Sequence, residues 1–359
     1  MVIKSLELSN FRNFRLLDIN FDAKTNILYG DNAQGKTNIL EAIYLCATTK
    51  SHRGTKDRDI VAFDEQESHI RIFLDKKGDE VRIDMHLRKN GSKGIAIDGQ
   101  KLKRASQLLG VMNVVFFSPE DLSIIKNGPA ERRRFVDMEL CQLDSVYLRD
   151  LNSYNKIVNQ RNRLLKDMAF QPELSGTLDI WDMQLAGYAK RIIERRSVFA
   201  QELNGIIQKV HASLSGGKEK LEVVYEPHVN AEEVEERMQK NRERDIRMKQ
   251  TTTGPHRDDF AFVANGIDIR RFGSQGQQRT AALSLKLSEI ELVKRMTKDA
   301  PVLLLDDVLS ELDSNRQNYL LNSIGNIQTI VTCTGLDEFV NNRFEINRVF
   351  HVSQGQISD

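Results

Sequence analysis

The stretch that most limits what this chain can fold into runs from Ile27 to Glu41. Apolar Ile27-Leu28-Tyr29 leads into Gly30-Asp31-Asn32-Ala33-Gln34-Gly35-Lys36-Thr37, and Asn38-Ile39-Leu40-Glu41-Ala42-Ile43 continues at helical spacing. Strand, glycine-flanked loop and helix thus follow in the order a P-loop requires. Gly30 and Gly35 let the backbone curl until successive N–H groups converge on a phosphate, and a helix opening near Lys36 adds its positive dipole end. On this reading the loop from Gly30 through Asp31, Asn32, Ala33 and Gln34 to Gly35 is the cradle. Lys36 bridges the outer phosphates, and the Thr37 hydroxyl holds Mg²⁺.

With 359 residues, the chain exceeds the size at which one core stops growing, so two lobes are expected. A composition of 40% hydrophobic and 29% charged residues is that of an ordinary globular protein with material for a real core. The formal charge is only +1, so any surface for polyanions must be local. Cys46, Cys141 and Cys333 are scattered without metal spacing, which fits buried thiols in a reducing compartment. The first residues, Met1-Val2-Ile3-Lys4-Ser5, hold no apolar signal core and no apolar run reaches a membrane span, so a cytoplasmic protein is expected.

Taken in order, Ile3–Leu8 and Leu16–Phe21 alternate as a hairpin-like pair of strands leading to the P-loop strand. The segments 68–74, 81–87 and 94–99, separated by Lys77-Gly78-Asp79 and Asn90-Gly91, predict an antiparallel meander. A buried strand over 111–117 closes at Ser118-Pro119. Helical spacing then dominates to about Val210, with breaks near Pro172 and Gly176. Tyr147, Leu148, Leu151, Tyr154, Ile157 and Val158 share one face, as do Leu185, Tyr188, Ile192 and Ile193; these are stripes of core or helix-pair contact. A strand at 221–225, a charged helix over 231–248, a hairpin over 258–269 turning at Asn265-Gly266 and a helix over 280–296 follow. Two sheet-rich ends, 1–118 and 268–359, thus enclose a mainly helical 119–267.

Toward the C-terminus, Pro301-Val302-Leu303-Leu304-Leu305-Asp306-Asp307 reads as a buried strand delivering carboxylates to its end, the pattern of a Walker B element. Asp306 then emerges where the P-loop Mg²⁺ would sit, and Asp307 where a carboxylate orients the attacking water. Being one methylene shorter than glutamate, Asp307 predicts slow hydrolysis. The bland alternative is a pair of helix caps. A helix at 314–324, a strand at 328–332 and a last hairpin through 349–357 complete the chain. Upstream, Phe272-Gly273-Ser274-Gln275-Gly276-Gln277 precedes a helix, so Ser274, Gly276 and the neighbouring amides form a second anion site. Two phosphate cradles in one chain are the arrangement of a two-site ATP sandwich, in which this loop caps nucleotide held by another copy; an ordinary capped loop is the alternative. Leu214-Ser215-Gly216-Gly217-Lys218 is a decoy, a helix-to-strand turn with no helix after it to present amides.

Together these motifs resemble the RecF family of bacterial recombination mediators, part of the ABC-type ATPases that include the SMC proteins. The carriers are Leu8–Phe14, the P-loop with Asn38–Ala42, Phe117–Leu122 with Arg132-Arg133-Arg134, Thr253–Asp259, the Ser274 loop and Leu304–Asp313. The resemblance covers nearly the whole chain. It implies an α/β fold, an ABC-type P-loop ATPase head with a mixed-sheet lobe and a helical second lobe. It also implies ATP-dependent homodimerisation, DNA gripped at gaps or single-strand/double-strand junctions, and work with RecO and RecR to load RecA. Lys36, Asp306 and Asp307 then carry catalysis, Thr37 and Asp306 the Mg²⁺, Ser274 and Gly276 the trans-acting loop, and Ser310–Asp313 the D-loop. The strand Ile330–Thr334 departs from the pattern by lacking a switch histidine, leaving Thr332 or Thr334 in its place, and no Q-loop glutamine is evident. His256 fits either a nucleotide-proximal role or a loop histidine held by a carboxylate. An ABC transporter subunit is the alternative reading; the Phe11-Arg12-Asn13 start and the large helical lobe favour the first, and a metabolic kinase would leave the Ser274 loop unexplained. Basic clusters at 50–58, 88–93, 101–104, 161–166 and 190–196 are candidates for contact with the DNA backbone.

Overall fold

The computed structural model describes residues 1–335 and 346–358. It divides into two compact units, one of Met1–Asp121 with Lys286–Asp359, the other of Leu122–Leu285. The expected divisions at 118/119 and 267/268 fall a few residues early and well early, respectively, because the structural boundary at Leu285 lies inside a helix.

The first unit opens with the antiparallel pair β1 (Val2–Phe11) and β2 (Phe14–Asn20), in register with Leu6 opposite Ile19 and Leu8 opposite Leu17. Then come β3 (Thr25–Tyr29) and α1 (Lys36–Thr48), the two arms of the P-loop. β4 (Glu67–Lys76), β5 (Asp79–Arg88), β6 (Gly94–Ile97) and β7 (Gln100–Lys101) form the predicted meander, and the sheet order is β2-β1-β4-β5-β6-β7. The two-residue period is visible in β4, where Ser68, Ile70, Ile72 and Leu74 are buried and Glu67, His69 and Arg71 face outward. β8 (Val114–Phe117) is buried throughout. It begins at Val114 instead of Val111 because Gly110 turns the chain at φ +83 and Met112 bridges back to Leu109.

The second unit holds α2 (Leu122–Lys126), α3 (Pro129–Leu143), α4 (Ser145–Asp167) and α5 (Leu178–Leu214), followed by β9 (Leu221–Glu226), α6 (Val234–Lys240) and α7 (Arg242–Met248). Pro129 occupies the first turn of α3, where a missing N–H costs nothing. Asp144 closes α3 and caps α4, its Oδ1 accepting from Val146 N and Tyr147 N at 3.0 Å each. The predicted stripes bury Tyr147, Tyr154 and Ile157 on α4 and Leu185, Ile192 and Ile193 on α5. The segment 231–248 is not one helix: a 3-10 turn opens it, and it breaks at Asn241, whose Nδ2 donates to Thr253 Oγ1 at 2.7 Å. β10 (Asp259–Ala264) and β11 (Ile267–Asp268) complete a β11-β10-β9 sheet, and α8 (Ile269–Phe272) follows.

The chain returns through α9 (Gln275–Thr297), which starts at Gln275, ahead of the expected Thr280, because Ser274 caps it. β12 (Val302–Asp306), α10 (Ser314–Ile324), β13 (Thr329–Cys333), β14 (Arg348–Ser353) and β15 (Gln356–Ser358) then return to the first unit. Its second sheet has the order β15-β14-β3-β13-β12-β8, parallel except for the antiparallel edge strand β15. A continuous apolar core joins Ile39, Leu40 and Ile43 of α1 to Leu28, Leu304 and Ile330 of this sheet and to Leu6 and Ile72 of the other.

Candidate nucleotide site

The P-loop is held tightly from two sides. Gly30 lies at φ +145, where a Cβ would stand 2.3 Å from Val352 O, and Gly35 at φ +115, where a Cβ would stand 2.6 Å from Asn13 Nδ2. Only glycine accommodates both the conformation and the contact. Asn13 Nδ2 donates to Gln34 O at 2.8 Å, and Asn13 Oδ1 accepts from Asn38 Nδ2 at 2.8 Å. From the other side, Gln354 N donates to Gln34 Oε1 at 2.6 Å. Lys36 is buried, its Nζ donating to Gly30 O at 2.7 Å and Asp31 O at 2.8 Å across the mouth of the loop. No side chain caps the start of α1, and Asn38 N donates to Gly35 O at 2.9 Å.

Parallel registry brings the second half of the site to the same strand ends. Asp306 pairs with Thr332 across β12 and β13, and Thr332 with Leu28 across β13 and β3. Asp306 Oδ1 accepts from Thr37 Oγ1 at 2.7 Å and from Thr332 Oγ1 at 2.8 Å, while Thr332 Oγ1 accepts from Asp307 N at 3.0 Å. Burial raises the Asp306 carboxyl above its ordinary range, the two threonine bonds oppose that, and neighbouring Asp307 adds to it. Asp307 sits at φ +51, outside the buried strand. It lines a cleft of about 470 Å³ with Asn32, Ser310, Thr332, Thr334 and Gly335. Ser310 Oγ donates to Asp307 O at 2.8 Å, and Asp313 caps α10 through Arg316 N. Thr332 is thereby committed to the two aspartates.

A brace around this site carries residues whose roles the sequence did not disclose. Glu41 of α1 is fully buried and accepts from Arg12 Nε at 2.9 Å, Arg12 Nη2 at 2.7 Å and Ser51 Oγ at 2.5 Å. Burial alone would raise its carboxyl; Arg12 and Ser51 hold it below the ordinary range. Arg12 Nη1 also donates to Asp59 O at 3.0 Å, and Arg53 Nη1 to Asn38 Oδ1 at 3.1 Å. The β1–β2 turn, the P-loop helix and the basic loop after it are therefore one hydrogen-bonded assembly. The available signal was Arg12-Asn13 with Glu41, polar residues flanking apolar strand and helix positions.

In the second unit, Ser274 Oγ accepts from Gln277 N at 3.2 Å while Gln277 Oε1 accepts from Ser274 N at 2.9 Å, a reciprocal capping box. The capped-loop alternative is therefore realised locally, yet the loop stays open above. Ser274 and Gly276 are exposed, and a Cβ on Gly276 would meet only Ser274 Oγ at 3.9 Å. At Gly273, by contrast, a Cβ would stand 2.5 Å from Ile269 O. The decoy is a turn from α5 to β9, with Gly216 at φ +64 and Gly217 at φ +75.

His256 is a loop histidine, but its partners are not the expected carboxylate. Its Nε2 donates to Thr251 O at 3.1 Å and its Nδ1 accepts from Tyr154 OH at 2.6 Å, so no carboxylate holds it. Burial drives its pKa down to about 4. Two of the basic clusters each lose one member, although Arg163, Lys166, Lys190 and Arg191 stay exposed. Arg161 is fully buried, 2.7 Å from both Asp182 and Asp245, and Arg196 reaches Asp137 and Asp258 at 2.8 Å and Pro255 O at 2.7 Å. These guanidiniums are interior counter-ions, not surface for a polyanion. In the first unit Lys50, Arg58, Lys101, Lys103 and Arg104 are exposed. Among the described residues no helix is long and apolar enough to cross a membrane.

With this geometry in hand, comparison with known proteins is specific. The sequence profile of the RecF/RecN/SMC N terminal domain matches residues 2–358. A protein of Agathobacter rectalis described as DNA replication and repair protein RecF is 62% identical over 357 residues, covering 99% of each chain. The solved structure of the recombination mediator protein RecF with ATP, in the RecFOR pathway, superposes with a TM-score of 0.94 at 38% identity, covering 99% of this chain and 97% of that one. An Smc head domain from Pyrococcus furiosus matches at a TM-score of 0.56 and 19% identity over 99% of this chain and 95% of that one, a likeness of fold.

Proposed function

We propose, from the premise that this chain belongs to the RecF family of SMC-like, ABC-type ATPases, that it is an ATP-gated DNA-binding switch of recombinational repair. The observation that carries this is the meeting of Thr37 and Asp306, whose oxygens are 2.7 Å apart beside the Lys36 loop. Two hard oxygen donors, one at the start of the P-loop helix and one at the end of the strand Val302–Asp306, suit Mg²⁺. Bound Mg²⁺ would supply positive charge at the outer phosphates of ATP. The chain's own groups do the rest. Lys36 leaves the carbonyls of Gly30 and Asp31 for the phosphates, the loop amides from Gly30 to Thr37 cradle them, and Asp307 orients the attacking water.

Ser274 and Gly276 of a second copy cap the triphosphate, and the Ser310–Asp313 turn completes the composite site, so that ATP closes a dimer. The dimer grips DNA at gaps or junctions through exposed cations such as Lys50, Lys101, Lys103 and Arg104, and with RecO and RecR it promotes RecA loading. Slow, DNA-stimulated hydrolysis reopens it. Light scattering with ATP tests the switch: Asp307→Asn is expected to accumulate as a dimer and Lys36→Arg to remain monomeric, and monomers in both cases would overturn the composite site. Binding to gapped, duplex and single-stranded probes with and without ATP tests the grip; affinity indifferent to ATP and to salt would overturn it.

A further inference from the structure

The outward face of the antiparallel sheet carries a group of side chains that the ATPase chemistry leaves unused. Across β4 and β5, Glu67 stands opposite Arg88, His69 opposite His86 and Arg71 opposite Asp84. The outer pairs are of opposite charge: Arg88 Nε lies 3.4 Å from Glu67 Oε1, and Arg71 Nε 2.6 Å from Asp84 Oδ1. The middle pair consists of two like groups, an arrangement that cross-strand pairing disfavours once both are charged. Their rings stack with centroids 4.1 Å apart, and His86 Nε2 lies 2.8 Å from Glu67 Oε2. One donor atom each from Glu67, His69 and His86 lies within 4.8 Å of the other two. Both histidines open onto a cleft of about 520 Å³.

We infer that Glu67, His69 and His86 form a binding site for a divalent transition metal of the zinc type, with a further coordination position open to the cleft. Two imidazole nitrogens and one carboxylate oxygen are a borderline donor set that Zn²⁺ accepts and that Mg²⁺ and Ca²⁺, which prefer oxygen, do not. The strand pattern explains the convergence. Glu67 and His69, two apart on β4, point to one face, and registry brings His86 from β5 beside them. The ion takes the place of the proton that His86 shares with Glu67, and Arg88 turns to solvent or to His86 Nδ1, from which it now stands 3.4 Å. The immediate consequence is mechanical, since the ion ties β4 to β5 on the face away from the core. The open position lets a further donor, from a ligand in the cleft, complete the coordination.

The competing account is a stacked aromatic pair with one hydrogen bond and no ion. Titration of the full chain with Zn²⁺, and with Co²⁺ as a visible reporter, in nucleotide-free buffer separates the two. One site per chain is expected, with Co²⁺ absorption typical of a low-coordinate nitrogen/oxygen site and a raised thermal midpoint. His69→Asn and His86→Asn should each weaken binding by at least the roughly 10–100-fold that loss of a supporting contact costs. Glu67→Gln, which keeps a hydrogen-bonding partner for His86, should weaken it as well, whereas His228→Asn, an exposed histidine of the other unit, should leave it unchanged. Circular dichroism and ATP binding report that each variant remains folded. Absence of Zn²⁺ binding by the parent chain, or binding that survives both histidine substitutions, overturns the proposal.

Discussion

Asp306 destabilises the nucleotide-free fold that it equips. Its carboxylate is buried, and although Thr37 and Thr332 both donate to it, its pKa stays above the ordinary value. A carboxyl whose folded pKa exceeds its unfolded one binds protons more readily in the native state. Near neutral pH it therefore weakens the fold, and the penalty begins to shrink as pH falls through the folded pKa and is gone below the unfolded one. Asp306→Asn should accordingly raise the unfolding free energy of the nucleotide-free chain by about 1 kcal/mol while abolishing hydrolysis, and the gain should shrink in acid. Urea denaturation at two pH values checks this; a less stable variant at neutral pH would contradict it. That Asp306 belongs with Lys36 and Thr37 was legible in the sequence, because four apolar residues preceding an acid read as a buried strand wherever they stand. Thr332 was not legible as the partner of both aspartates. Its place depends on the registry of β13 against β12, which no local pattern encodes.

At the scale of elements, the alternating strands and the glycine-bounded loop were readable because their periods are local, whereas the interior of the helical unit was not. The basic runs 161–166 and 190–196 read as exposed cations available to DNA, yet Arg161 and Arg196 are buried against carboxylates supplied by α3, α5, α7 and the segment before β10. A charge run cannot disclose which distant acids will meet it. Removing one member of a buried pair strands the other, so Arg161→Ala should cost about 3–5 kcal/mol with the DNA affinity of the folded fraction unchanged. Lys103→Ala, on the exposed surface of the other unit, should do the reverse, leaving stability intact and lowering the salt slope of DNA binding by about 1. Calorimetry and a salt titration distinguish them. His256 adds a pH signature to the same unit. It is neutral between Tyr154 and Thr251, with Arg257, His228 and Arg133 nearby, and its pKa is lowered from 6.5 to about 4. Above pH 6.5 neither state takes up the proton; below it the unfolded chain does, so stability falls as pH drops from 6.5 toward about 4. The slope from one such group approaches about 1.4 kcal/mol per pH unit. His256→Gln, which can still accept from Tyr154 and donate to Thr251, should flatten that part of the profile in urea titrations, and an unchanged slope would remove His256 as its source.

For the whole molecule, the function proposed above requires that the catalytic machinery be divided between copies. Each chain offers one P-loop with Lys36, Thr37, Asp306 and Asp307, and one exposed Ser274 loop at the head of a 23-residue helix. In a two-fold dimer each composite site takes its P-loop from one copy and its Ser274 loop from the other. A Lys36→Ala chain should be inactive because it cannot hold phosphate, and a Ser274→Arg chain because it cannot cap its partner's nucleotide. When the two are mixed, half of the dimers formed at random contain one of each. In such a dimer one site inherits both defects, and the other inherits neither. Activity should therefore return on mixing two inactive preparations, to about a quarter of the wild-type rate per chain if sites act independently and assembly is unbiased. Lower recovery with a clear excess over either variant alone would mean that an intact site works more slowly beside a dead one, so that the two sites assist each other. No recovery at all, with hetero-dimers demonstrated by differential tagging, would mean that each chain completes its own site or that a dimer works only with both sites intact, and a Ser274→Arg chain active on its own would leave the capping box of Ser274 and Gln277 as the loop's whole purpose.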